Sequence, residues 1–338
     1  LTLNKKLAVM AAILLLIVLP MLITNNYFRH IIIIIFLSII FGQSWNLLGG
    51  YTGQVSFGHA LFFAIGSYGT VLFITNQSLN ELGGLFGHTL DPILALLFGA
   101  FCTIVITFIL GLMIFRLRGP YLGLGTLALA QIGMVIAMNW KSLTNGGEGI
   151  LLLDVPPIGP IELLGKLPFY YLSMTLMLFS VFFVYHIINS RMGYFLMAIR
   201  EDDDASEAMG VPTRKYKILA LILSAFLAAL AGGFNALYVG FISPHDVFAL
   251  HISIQMIFIT IVGGVGTIMG PIVGAVLLTI LSEVFQAYLG NAHLLVYGGL
   301  LVLVILYMPE GVYGFIKQKW ERKRMVTAGA GITGGEPD

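Results

Sequence analysis

An all-α, polytopic transmembrane helical bundle is the fold class this sequence predicts, on three observations. Only 10% of the 338 residues are charged and 58% are hydrophobic, with a mean hydropathy of +0.97; soluble chains carry about 25% charge and about 45–50% apolar residues. The apolar residues gather in runs of about 20, enough to cross roughly 30 Å of hydrocarbon. Glycine supplies 40 residues, many inside those runs, where small residues allow the close helix approach that packing in lipid relies on. These features exclude a soluble enzyme and a nucleic-acid binder. The net charge of +1 says nothing about partners, because what matters in a membrane protein is where the charges sit. Cys102 is the one cysteine, which excludes an intramolecular disulfide and a cysteine-based metal site.

Ten spans are predicted: 7–24, 31–48, 57–75, 92–115, 120–140, 168–189, 217–241, 250–263, 270–288 and 293–309. The first follows Lys5 and Lys6 and reads as a retained anchor, because no small-x-small cleavage signal precedes Asn25. The eighth is short and runs into Gly263-Gly264, the pattern of a half-crossing. Charge sets the orientation, since inner loops should hold the Lys and Arg. With both ends inside, the inner side receives Lys5 and Lys6, Arg116 and Arg118, the basic residues of 190–217, and Lys317, Lys319, Arg322, Lys323 and Arg324. The outer loops keep only Arg29, Lys141 and Lys166. Residues 1–316 thus form the transmembrane domain, interrupted by the inner loop 190–217, and 317–338 a basic, then Gly-rich cytoplasmic tail read as disordered.

Ionisable residues are nearly missing from the spans. His186, His251 and Glu283 fall near span ends, and only His59 lies deep. Each mid-bilayer charge costs about 2.5–3.5 kcal/mol on insertion scales, so ion-coupled carriers keep those they use. Their scarcity argues against an ion relay and for an uncharged or zwitterionic solute. The chain has no phosphate loop: Gly159 to Leu167 has the wrong spacing, and Leu167 stands where Ser or Thr should ligate magnesium. No nucleophile–base pair or metal-ligand spacing supports an enzyme.

Two segments, 49–58 (GGYTGQVSFG) and 263–271 (GGVGTIMGP), interrupt apolar stretches with more glycine than a regular helix tolerates, then open new ones. Gly53, Gly58, Gly263, Gly264, Gly266 and Gly270 are their structural glycines. Non-helical backbone at membrane depth persists only where protein or a water-filled cavity surrounds it, and paired interruptions in the two halves point to a transport pathway. Their depth, mid-membrane or inner surface, is left open. Gln54, Ser56, His59, Thr126, Gln131, Asn235 and Gln255 are candidate pathway residues. The competing role for each is an interhelical hydrogen bond.

The loop 190–217 is the one strongly polar inner segment. It holds five basic residues (Arg191, Arg200, Arg214, Lys215, Lys217) and five acidic ones (Glu201, Asp202, Asp203, Asp204, Glu207). Residues 194–209 read as one short amphipathic helix with an apolar stripe of Phe195, Ala198, Ile199, Ala205, Ala208 and Met209, ended by Gly210 ahead of Pro212. Such a helix suits docking into a partner's groove; a solvated loop that merely fixes topology is the alternative.

At Gly193-x6-Arg200-Glu201-Asp202-x4-Glu207-Ala208-Met209-Gly210 the chain resembles the coupling loop of ABC importer permeases, in particular the branched-chain amino acid (LivM-type) family. Gly50 to Ala60 with Gly66, Tyr121 to Gln131, Thr144 to Gly149 and Gly263 to Pro271 resemble the same family, in its order, over about residues 38–315. The motifs are specific for family and less so for substrate, since urea and short-chain amide permeases share most of them. The resemblance implies one of two permease subunits in a heteromeric importer of a bacterial inner membrane. Two cytoplasmic ATPases would bind ATP and magnesium, this chain holding no cofactor, and a periplasmic or lipid-tethered binding protein would deliver the solute. It assigns ATPase coupling to Arg200, Glu201, Asp202, Asp203, Asp204, Glu207, Ala208 and Gly210, and puts Gln54, Ser56 and His59 at the first break. Glu148 stands where the family usually has Asp, which weakens any direct role for it. A stand-alone carrier or channel is the competing class.

Overall fold

The computed structural model describes residues 3–23, 25–76, 91–117, 119–152, 155–158, 162–163, 165–289, 298–299, 302, 306–308 and 310–319. The chain forms α1 (Leu3–Leu22), α2 (Asn26–Trp45) continuing into a π turn (Asn46–Gly50), α3 (His59–Thr75), α4 (Asp91–Ile114) and α5 (Pro120–Asn139). Then follow α6 (Lys166–Ile188), α7 (Arg191–Glu201), α8 (Asp203–Ala208), α9 (Thr213–Val239), α10 (Leu250–Gly263) and α11 (Gly270–Leu289). A two-residue antiparallel pair, Ile150–Leu151 with Phe241–Ile242, joins the loops after α5 and α9.

Among the described residues, seven helical segments are long and apolar enough to cross a membrane: Asn26–Gly50, Asp91–Ile114, Pro120–Asn139, Lys166–Ile188, Thr213–Val239, Pro244–Gly263 and Gly270–Tyr288. The predicted span 57–75 is a 17-residue helix that starts only at His59, because 53–58 is not helical. The predicted half-crossing 250–263 gains a preceding turn at Pro244–Val247, which brings the segment to 20 residues. Within the predicted span 7–24, the apolar stretch of α1 is Ile13–Leu22. The predicted span 293–309 lies mostly outside the described residues, as does the tail beyond 319.

α9 is the hub, packed against α2, α3 and α4. Its buried face is built from Ala220, Ala225, Ala228, Ala229, Ala231 and Ala236, all fully buried, and two glycines let backbones touch. A Cβ on Gly232 would lie 2.0 Å from the Phe63 carbonyl oxygen of α3, and one on Gly66 would lie 2.3 Å from the Ala229 oxygen. Small residues do in lipid what a water-driven hydrophobic core does in solution. α4 is apolar on every side; it buries Ala95, Gly99 and Thr103 and leaves Leu97, Phe101, Phe108 and Met113 on the surface. That pattern belongs to a helix whose solvent is hydrocarbon.

Candidate functional site

The first break begins where the π turn widens the end of α2 and Gly53 turns the chain at φ 70°. Residues 53–58 then run without helical hydrogen bonds until α3 starts at His59. Backbone groups freed in apolar surroundings cost free energy unless partnered, and neighbouring side chains supply the partners. Trp45 Nε1 donates to the Ser56 carbonyl at 2.8 Å. Thr126 Oγ1 of α5 accepts from the Phe57 amide at 3.0 Å, and Ser253 Oγ of α10 accepts from the Ala60 amide at 2.8 Å.

His59 is fully buried and locks this segment to α9. Its Nε2 lies 2.8 Å from Ser224 Oγ and its Nδ1 3.1 Å from Ser56 Oγ. The Ser224 hydroxyl donates to the Ser44 carbonyl at 2.7 Å, and the Ser44 hydroxyl returns a bond to the Ser224 carbonyl at 2.8 Å. Because the Ser224 proton is committed to Ser44, Nε2 is the ring nitrogen that donates to Ser224. The Ser56 hydroxyl partners Nδ1.

The second break, 264–269, hangs on α2. Asn46 Oδ1 accepts from the Gly266 amide at 2.8 Å, Asn46 Nδ2 donates to the Thr267 carbonyl at 2.9 Å, and Gln43 Nε2 donates to the Ile268 carbonyl at 2.8 Å. Thr267 Oγ1 accepts from the Gly270 amide at 3.0 Å and donates to the Gly264 carbonyl at 2.8 Å, which caps α11. Gly58, Gly263 and Gly270 are places of close backbone approach, where a Cβ would come within 2.4 Å of another backbone oxygen.

The coupling segment departs from the prediction. One helix over 194–209 is replaced by two, α7 and α8, because Asp202 adopts an extended conformation (φ −157°, ψ 115°) and its Oδ1 caps α8 by accepting from the Ala205 amide at 2.9 Å. An aspartate ahead of a short helix is worth more as an N-cap than as an interior residue. The buried face matches the predicted stripe only in part: Ile199 is buried and Phe195 half-buried, with Gly193, Leu196 and Ser206 also turned inward, whereas Ala198, Ala205, Ala208 and Met209 are exposed, Met209 at 86%. Gly210, at φ 86°, ends α8. Lys217 forms an ion pair with Asp203 that ties α8 to α9, and Arg214 donates to the Leu112 carbonyl of α4 at 2.8 Å.

Both breaks lie beside this segment. Arg200 packs along Gly53 and against Gly266, and a Cβ on Gly50 would lie 2.9 Å from the Gly266 amide nitrogen. The depth left open by the sequence is thereby given a reference: the two breaks share the end of the bundle that carries α7 and α8. Of the candidate pathway residues, Ser56, His59 and Thr126 are buried and mutually connected through residues 56–59. Gln54 is half-buried and donates to the Thr52 carbonyl at 3.3 Å. Asn235 and Gln255 are half-buried, and Gln131 is exposed on α5. Among the described residues, no hydrogen bond joins these three to the His59 network. Glu148 is exposed. Sequence reasoning missed Gln43, Ser44, Asn46, Ser224 and Ser253; the signal was there, in the polar run Gln43-Ser44-Trp45-Asn46 closing an apolar span. Among the described residues no group of three or more His, Cys, Asp or Glu is placed to hold a metal ion.

The fold and these paired breaks define the class, a multi-pass helical membrane protein organised around interrupted segments. Residues 27–305 match the family described as the permease component of the branched-chain amino acid transport system, and the chain belongs to that family. It is a family of transport permeases, not of enzymes. The high-affinity branched-chain amino acid transport system permease protein LivM of Escherichia coli K12 is 28% identical over 314 residues, covering 86% of this chain and 71% of that protein. The corresponding LivH of Salmonella typhimurium is 28% identical over 302 residues, covering 83% and 94%. A probable branched-chain amino acid transport permease protein LivM of Methanocaldococcus jannaschii is 22% identical over 317 residues, covering 82% of this chain and 90% of that protein. No solved structure matches the chain.

Proposed function

We propose that this chain is one of two permease subunits of an ATP-driven importer, and that its solute is a branched-chain or related neutral amino acid. The observation that carries the reading is the meeting of both glycine breaks with an exposed, charged helix pair at one end of the bundle. Two cytoplasmic ATPase subunits would dock on α7 and α8 and supply the ATP and magnesium chemistry. A periplasmic or lipid-tethered protein would deliver the solute from the other side. Similarity to both LivM and LivH supports a second, different permease as the partner. By the distribution of the basic clusters, α7, α8 and both ends of the transmembrane domain would lie on the cytoplasmic side of a bacterial inner membrane. Ten spans would complete that topology, with 7–24 and 57–75 counted beside the seven long segments and 293–309 as the sequence expects it. Closure of the ATPases would push α7 and α8, and the helices on either side of the breaks would rock to alternate access.

Reconstitution tests this. The chain, with its partner permease, ATPases and binding protein, is placed in liposomes and the uptake of labelled leucine, isoleucine and valine is followed with and without internal ATP. Uptake that requires ATP and is competed by the three amino acids, but not by urea or acetamide, is the expected result. Uptake that persists without ATP, or competition by urea alone, contradicts the reading.

A further inference from the structure

Arg200 belongs to the segment assigned to docking, yet its side chain turns toward the membrane domain. Gly266 stands at φ 73°, and a Cβ there would lie 2.0 Å from Arg200 Nη1 and 3.2 Å from its Cζ, so the guanidinium occupies the space a side chain would need. A Cβ on Gly53, at φ 70°, would sit 3.5 Å from Arg200 Cγ, so the aliphatic stem runs along the first break at ordinary contact distance. The carbonyl of Gly50 is 3.1 Å from the same Gly266 Cβ position, which brings both breaks to one point. On the far side, a cavity of about 360 Å³ is lined by Arg200, Val265, Thr267, Glu310, Tyr313 and Lys317. Residue 311 closes onto the second break there: a Cβ on Gly311 would lie 2.6 Å from Gly264 Cα. Leu196 and Ile199 are buried beneath α7, so the helix that carries Arg200 is backed by packing.

We infer that Arg200 is the positioning residue that links coupling helix α7 to both glycine breaks, its stem bearing on Gly53 and its guanidinium on Gly266. A shift of α7 then reaches both breaks through one side chain. Arginine suits the task because its planar head is rigid and fork-shaped, whereas a lysine ammonium is a mobile point charge. Glycine suits position 266 because a left-handed backbone and an adjacent guanidinium leave no place for Cβ. The inference rests on the reading of α7 and α8 as the ATPase-docking segment.

The test uses the complete complex in liposomes and measures three things: retention of the ATPases, ATP hydrolysis, and solute moved per ATP hydrolysed. Arg200→Ala is expected to retain the ATPases and hydrolysis while solute per ATP falls about tenfold, within the usual range for coupling between sites. Gly266→Ala displaces the guanidinium and should give the same fall. The double variant should be no worse than the poorer single one, because both changes remove one link. A wild-type ratio in Arg200→Ala, or losses that multiply in the double variant, overturns the inference. Should Arg200→Ala fail to accumulate, Gly266→Ala is read alone, and a wild-type ratio there overturns it equally. Loss of the ATPases from Arg200→Ala would place Arg200 at the docking surface, which overturns the link and upholds the docking reading. Failure of the docking reading itself shows separately, as a Met209→Arg variant that keeps full ATPase binding.

Discussion

Among the described residues, the first break takes hydrogen bonds from side chains of four helices, whereas the second takes them, besides its own Thr267, from the end of α2. Trp45, Thr126, Ser253 and, through His59, Ser224 each hold part of 53–60. Residues 266–268 depend on Gln43 and Asn46 of α2, and Met269 is 48% exposed. Both segments abandon helical hydrogen bonding in apolar surroundings and so need replacement partners. The difference lies in how many elements must move when the segment moves. Shifting the first break strains hydrogen bonds to α2, α5, α9 and α10 together; shifting the second strains hydrogen bonds to the end of α2 and its own cap, with Arg200 and Gly311 touching it by packing. The first break is therefore the fixed side of the junction and the second the compliant side.

Substitutions can break or sharpen that contrast, and the largest effect is expected at the first break. Gly58→Leu drives a side chain into the Thr126 carbonyl, 2.4 Å from where Cβ would stand. Overpacking of this kind costs about 3 kcal/mol or more when only backbone can yield. Little folded protein should be recovered after size-exclusion chromatography in detergent. His59→Leu comes next. It removes the imidazole's hydrogen bonds to Ser56 and Ser224, at about 0.6 kcal/mol per hydrogen bond made in lipid and about 1–3 kcal/mol for an orphaned buried hydroxyl. The expected sign is a clear drop in melting temperature, with transport lost in proportion to folded protein.

At the second break the balance should invert. Asn46→Ala leaves the Gly266 amide and the Thr267 carbonyl without their side-chain partner, a loss of about 1–2 kcal/mol at the same value per bond plus partial exposure. Uptake should fall further than melting temperature does. Equal losses would mean that the second break is as fixed as the first. Thr267→Val removes the cap of α11 at about 0.5–2 kcal/mol and should show the same pattern more weakly. Met209→Arg, at an 86% exposed position, should change stability by no more than about 0.5 kcal/mol and still release the ATPase subunits during purification.

The helices, the glycine breaks and the polar loop were legible in the sequence because composition and run length report burial in lipid directly. The fasteners were not. Gln43, Ser44 and Asn46 sit in an apolar run, and hydropathy averages across a span suppress three polar residues whose meaning depends on what another helix places opposite them. Ser224 illustrates the same blindness: its partners, Ser44 and His59, are 180 and 165 residues away in sequence. The split of α7 from α8 failed for a local reason. The acidic run Glu201 to Asp204 reads as a solvated face, but Asp202 spends its carboxylate on a backbone amide, and α8 beyond it carries Ala205 and Ala208 on the surface, off the expected inner stripe. His59 was legible as an ionisable residue inside an apolar stretch, and the structure buries it, whereas its hydrogen-bonding to two serines needed the fold.

The central claim is that α7 and α8 are where an outside ATPase engages this chain. A photo-crosslinking amino acid placed at position 209, and as a control at position 132 on the exposed face of α5, tests it in the assembled, ATP-hydrolysing complex. A crosslinked band between this chain and an ATPase subunit is expected from position 209 and none from position 132. An active complex with no such band from position 209 would contradict it.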